Sequence, residues 1–154
     1  MTRILFVCLG NICRSPTAET VFRDLATKAE LDVEIDSAGT ENWHDGKQPY
    51  GPMQDAARPR GYKMSNLSAR QVTPGDFHDF DLIIAMDAQN IEDLKQIAPD
   101  DATARLALFT DYAPKTGATA VPDPYYTRDF DGALDLIEAC GQGLKSHLQS
   151  GSTG

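Results

Sequence analysis

The chain has 154 residues, 41% of them hydrophobic, and a formal net charge of -9. That length suits one domain with a core large enough to fold without disulfide staples, and the acidity disfavours a nucleic-acid partner because no run of Lys or Arg offsets it. The cysteines Cys8, Cys13 and Cys140 lack C-x-x-C spacing, and His44, His78 and His147 are scattered, so neither a disulfide framework nor a metal site is expected.

Arg3 to Val7 is an almost continuous apolar run, which predicts a strand buried on both faces. Ser15-Pro16 then reads as an N-cap followed by the first helical residue, and Ala18, Val21, Phe22, Leu25 and Ala29 keep helical spacing to about Glu30. Val33 to Ser37, Asp81 to Met86 and Arg105 to Phe109 read as further strands, and Pro52 to Arg60, Ala88 to Ile97 and Phe130 to Leu148 as further helices. The alternation predicts an α/β fold of three layers, a parallel sheet covered by helices on both faces. Two segments, Gly39 to Gly51 and Asp111 to Arg128, read as long functional loops, and residues 150–154 as a flexible tail. No run approaches the roughly 20 apolar residues of a membrane span and no leader is recognised, so a soluble, cytoplasmic protein without a membrane partner is expected.

The chemistry is concentrated in Cys8-Leu-Gly-Asn-Ile-Cys-Arg14-Ser15, between the first strand and its helix. Open α/β sheets place ligands there, at the carboxyl end of a strand facing a helix N-terminus. Five residues between Cys8 and Arg14 let the backbone curl into a ring of N–H groups aimed at one anion, with Gly10 and Asn11 suited to positive φ angles. Arg14 adds a planar fork for two phosphoryl oxygens, and cations beside a helix start favour the thiolate of Cys8. The Ser15 hydroxyl is near enough in sequence to donate to that thiolate.

The run Val7-Cys-Leu-Gly-Asn-Ile-Cys-Arg-Ser-Pro-Thr-Ala-Glu19 resembles the signature of the low-molecular-weight protein tyrosine phosphatases. The likeness continues through Asp36-Ser-Ala-Gly-Thr40 with Trp43, Ala69-Arg-Gln71, Ala85-Met-Asp87 and Val121-Pro-Asp-Pro-Tyr-Tyr126, nearly the whole chain in order. It implies one domain over residues 1–149 with four strands in the order 2-1-3-4. It implies further that Cys8 attacks phosphorus to form a phosphocysteine, that Arg14 clamps the phosphoryl group, and that Asp123 protonates the leaving phenol oxygen and then activates water. Gly10 and Cys13 belong to the implied cradle, Asn11 and Ser15 brace it, Leu9, Ile12, Trp43, Tyr125 and Tyr126 line or rim an aromatic slot, and Asp87 orients Arg14 or the slot wall. The implied partners are phosphotyrosine-containing proteins and a tyrosine kinase, with Tyr125 and Tyr126 matching tyrosines that are phosphorylated in some relatives. A monomer or weak dimer is expected, with no cofactor.

Two features refine this reading. Ile12 favours phosphotyrosine over phosphoarginine, since relatives acting on phosphoarginine tend to carry Thr there. Leu67-Ser-Ala-Arg70 stands where relatives commonly have His-x-Ala-Arg, which removes a hydrogen bond near the loop. Cys13 shares the ring with Cys8, so a reversible Cys8–Cys13 disulfide is expected under oxidation. Arsenate reductase, a rival of similar fold, needs two further cysteines, and none lies between Ile83 and Lys95. A non-catalytic phosphate-binding module needs neither nucleophile nor acid.

Overall fold

The computed structural model describes residues Met1–Gly151. Four parallel strands, β1 (Thr2–Cys8), β2 (Val33–Gly39), β3 (Leu82–Ala85) and β4 (Arg105–Leu108), form one sheet in the order β2-β1-β3-β4. The helices are α1 (Arg14–Lys28), α2 (Gly51–Ala57), α3 (Asp76–Asp79), α4 (Ala88–Ile97), α5 (Pro124–Thr127) and α6 (Phe130–Gln149). The predicted α/β layering and strand order are both present.

The near-absence of polar residues in β1 has a structural cause. Ile4, Phe6 and Cys8 face the layer of α1 and α6, whereas Leu5 and Val7 face the layer that contains Phe77 and Leu94, so both faces are covered. β3 repeats the pattern, with Leu82 and Ile84 on the first side and Ile83 and Ala85 on the second. Ile4, Phe6, Leu82 and Ile84 are fully buried. Each such side chain stabilises the fold by about 1.5–3 kcal/mol relative to exposure. Phe6 stacks edge-on to Phe22 of α1 and lies tilted against Phe109, which fixes the carboxyl end of β1 under α1.

Four expectations are corrected. Helix α1 begins at Arg14 with Cys13 at the cap position, so Ser15 is a helical residue and Pro16 is the third. Its missing N–H is still among those with no intrahelical partner. The segment from Asp111 to Arg128 is not a plain loop: it holds 3₁₀ turns at Phe109–Tyr112 and Pro114–Thr116 and the single-turn helix α5. Pro114 and Pro124 open the second 3₁₀ turn and α5, and all three elements are too short to leave a periodicity. Helix α3 lies where no helix is expected, and the Pro52–Arg60 helix is α2 followed by a 3₁₀ turn at Arg58–Arg60. Of the expected tail 150–154, Ser150 and Gly151 close α6 through bonds to Ser146 and Leu148, and residues 152–154 lie outside the described residues. Among the described residues no helix is long and apolar enough to cross a membrane.

Candidate active site

The loop from Cys8 to Arg14 curls at the carboxyl end of β1, and the separated sequence matches converge on it from neighbouring strand ends. Asn11 adopts φ of 57° and is 2% exposed. Gly10 does not share the positive φ expected of it. Its requirement is space, because a Cβ there would stand 2.9 Å from the His44 ring. Gly39 meets the loop in the same way: a Cβ would come within 2.8 Å of the Leu9 carbonyl. That close approach lets the Thr40 and Glu41 N–H groups bond the carbonyls of Cys8 and Leu9.

Asn11 is the hub that holds the ring in shape. Its Nδ2 donates to Ser15 Oγ at 2.8 Å and to Ser37 Oγ at 3.0 Å, and its Oδ1 accepts the Arg70 N–H at 3.0 Å. Ser37 in turn donates to Glu19 at 2.6 Å, and the other oxygen of that carboxylate pairs with Arg23. Arg70 is fixed by ion pairs to Asp36 and Asp76. Ser37, Glu19 and Arg70 were given no role by the sequence, because a polar residue in a strand or helix shows nothing of its burial. The Leu67 side chain offers no hydrogen bond at the place of the common His, and its N–H donates to the Met64 carbonyl.

Cys8 is 3% exposed, and its Sγ lies 3.0 Å from Ser15 Oγ and 3.3 Å from the Asn11 nitrogen. Arg14 is equally buried. One edge of its guanidinium is tied down, with Nη1 donating to Asp87 Oδ2 at 2.7 Å and to the Val121 carbonyl at 3.0 Å. Nη2 is 3.5 Å from Asp123 Oδ2, and the buried Nε has no partner. Burial opposes the charge of Arg14, but the negative charges of Cys8, Asp87 and Asp123 outweigh it and raise its affinity for the proton. A buried guanidinium with an unpartnered N–H is suited to receive an anion.

Asp87 meets Arg14 through one oxygen, and its other oxygen accepts the Asn90 N–H and caps α4. Asp123 caps α5 by accepting the Tyr125 N–H at 3.1 Å. Above the cradle opens a cavity of about 240 Å³ lined by Cys8, Leu9, Gly10, Ile12, Cys13, Trp43, His44, Asp123, Tyr125 and Tyr126. Trp43 is 61% exposed on its rim. His44, one of the histidines scattered in the sequence, lines the same cavity beside Gly10 and 6.5 Å from the Tyr125 ring. Burial, followed by the charges of Cys8 and Asp123, pushes the Cys13 thiol far up. The arrangement can hold a tetrahedral oxyanion over one sulfur, with a carboxyl group at the mouth and aromatic walls above.

Comparison with known proteins agrees with this geometry. The family described as low molecular weight phosphotyrosine protein phosphatase matches residues 3–152. The low molecular weight protein-tyrosine-phosphatase YfkJ of Bacillus subtilis is 46% identical over 151 residues, covering 97% of each chain. The crystal structure of YfkJ superposes with a TM-score of 0.93 at 43% identity, over 99% of this chain and 97% of that one. A Drosophila arginine phosphatase, DARP, superposes with a TM-score of 0.91 at 32% identity, over 99% and 100% of the two chains. The chain belongs to the low molecular weight phosphotyrosine protein phosphatase family and is a phosphatase.

Proposed function

We propose that this chain removes phosphate from tyrosine residues of proteins through a covalent phosphocysteine on Cys8. The observation that carries the reading is one cavity lined by both Cys8 and Asp123, with the buried Arg14 guanidinium 3.5 Å from Asp123 and its Nε unpartnered. In the first step the Cys8 thiolate attacks phosphorus, the S–P bond forms and the P–O bond to the phenol breaks. Protonated Asp123 gives its proton to the departing oxygen. The loose transition state spreads charge over three equatorial oxygens, which the loop N–H groups and Arg14 receive. In the second step water loses a proton to Asp123 and attacks phosphorus, the S–P bond breaks, and phosphate leaves. Ser15 donates to the sulfur as its charge returns.

The walls support an aromatic substrate. Leu9, Ile12, Trp43, Tyr125 and Tyr126 give a ring apolar faces to lie against, and phosphoserine is too short to fill them while reaching the floor. The branched Ile12 supports the phenyl ester over the guanidine of phosphoarginine. The protein substrates are then products of a tyrosine kinase, and a monomer or weak dimer suffices because one chain carries the whole cavity. Three unpaired, buried cysteines support a reducing cytoplasm as the setting. Under peroxide, Cys8 is oxidised to the sulfenic acid, and the Cys13 thiol displaces water to give the Cys8–Cys13 disulfide.

The test is turnover of one peptide carrying phosphotyrosine, phosphoserine or phosphoarginine at the same position. The reading predicts rapid release of phosphate from the phosphotyrosine peptide alone and none with Cys8→Ser. Preference for the phosphoarginine peptide overturns the substrate class, and tight binding without release overturns catalysis.

A further inference from the structure

Arg128 follows α5 and adopts φ of 63°, a left-handed angle that a residue with a Cβ takes at a cost. Its backbone N–H bonds the Pro124 carbonyl at 2.9 Å and closes the turn that Asp123 caps. Its side chain reaches in the opposite direction. Nη1 donates to the Tyr50 hydroxyl at 2.9 Å and to the Tyr125 carbonyl at 3.4 Å. The guanidinium carbon lies 5.4 Å from the Tyr50 ring centre and 5.1 Å from that of Phe130.

Tyr50 is itself tied to the cradle, because its N–H donates to the Ile12 carbonyl at 2.8 Å. Its ring also lies 5.1 Å from that of Tyr125. One side chain therefore joins the loop that carries Cys8 to the turn that carries Asp123. At the start of the turn the Val121 N–H bonds the Met86 carbonyl at 2.8 Å and the Val121 carbonyl accepts Arg14 Nη1 at 3.0 Å. The Asp123 carbonyl accepts the Tyr126 and Thr127 N–H groups within the turn, while its carboxylate meets the Tyr125 N–H and lies 3.5 Å from Arg14.

We propose that Arg128 is a positioning residue for proton transfer, a latch that holds the far end of the Asp123 turn against the cradle. The proposal rests on the reading of Asp123 as the proton donor. A donor must stand within about 2.6–3.2 Å of the oxygen it protonates, so a loosened turn slows the reaction where the leaving group needs the proton most. A phenolate carrying a nitro group leaves without much help, whereas unsubstituted phenolate does not.

The experiment is kcat/KM for p-nitrophenyl phosphate and phenyl phosphate with wild type, Arg128→Gly, Tyr50→Phe and Asp123→Ala. Arg128→Gly is the informative variant because glycine adopts the native φ without strain, and its melting temperature verifies folding. We expect it to lose about threefold on the nitrophenyl ester and about thirtyfold on the phenyl ester. Tyr50→Phe shows the same skew to a smaller degree, since the ring remains. Equal losses on both esters, or none on either, overturn the latch when Asp123→Ala is itself strongly skewed. If Asp123→Ala is not skewed, the acid assignment fails and the latch falls with it.

Discussion

Arg14 Nη1 is held by Asp87 Oδ2 at 2.7 Å and by the Val121 carbonyl at 3.0 Å, which fixes the guanidinium while its buried Nε stays unpartnered. Arg14 opens α1 and Asp87 caps α4, so their pairing ties the starts of two helices together beside the loop. Arg14→Lys cannot occupy both anchors and still donate to two phosphoryl oxygens, so kcat should fall by about 10²–10³. Asp87→Asn keeps the cap on α4 but releases the charge from Arg14, and should lose activity with little change in melting temperature. Steady-state kinetics beside thermal melts separates the two variants.

The relay from Glu19 through Ser37 to Asn11 is buried along its whole length. Ser37→Ala strands a carboxylate oxygen and an amide N–H, each costing about 1–3 kcal/mol when left unpaired. Stability should fall by about 2 kcal/mol, or about 5 °C in melting temperature. Activity at a temperature where the variant remains folded should fall as well, because Asn11 loses one of its restraints. A variant that melts normally contradicts the relay.

Stability should decline at alkaline pH. Burial pushes the Cys140 thiol up to about 12, and burial likewise raises Cys13, Tyr62 and Tyr112. In the unfolded chain thiols lose their protons near about pH 8.5 and tyrosines near about pH 10. Above about pH 9 the unfolded state therefore binds fewer protons than the native state, and unfolding becomes easier as pH rises, by about 1.4 kcal/mol per pH unit for each fully buried thiol. Urea midpoints measured from neutral pH upward check the sign. Cys140→Ala should start lower and fall less steeply.

In the proposed Cys8–Cys13 disulfide, the raised Cys13 thiol would set the pace. Attack on an oxidised Cys8 requires the Cys13 thiolate, which is scarce at neutral pH, so disulfide formation should accelerate with pH. After a fixed exposure to peroxide, the fraction of activity recovered by dithiothreitol should rise between mildly acidic and mildly alkaline solution. Cys13→Ser should recover none, and a pH-independent recovery in wild type contradicts the disulfide.

The strands were legible because β1 and β3 are buried on both faces and so leave uninterrupted apolar runs. Cys8 and Arg14 stood out as candidates by their spacing between a strand and a helix, whereas Asp123 was named only through the family resemblance of Val121-Pro-Asp-Pro-Tyr-Tyr126. What lay hidden depends on contacts between distant segments. Ser15 looked like a helix cap, yet Cys13 holds the cap position and α1 starts at Arg14. His44 and Arg128 carry no local pattern, and only the fold brings one against Gly10 and the other onto Tyr50. Glu19 reads as an ordinary polar position of α1, although it is 4% exposed.

The central claim is that phosphate passes through Cys8, and the most direct measurement is rapid-quench hydrolysis of p-nitrophenyl phosphate with mass analysis of the protein. The account predicts a burst of one nitrophenol per chain, together with one phosphoryl group on the peptide containing Cys8, and neither with Cys8→Ser. Steady turnover with no burst and no adduct, or turnover that survives in Cys8→Ser, would contradict it.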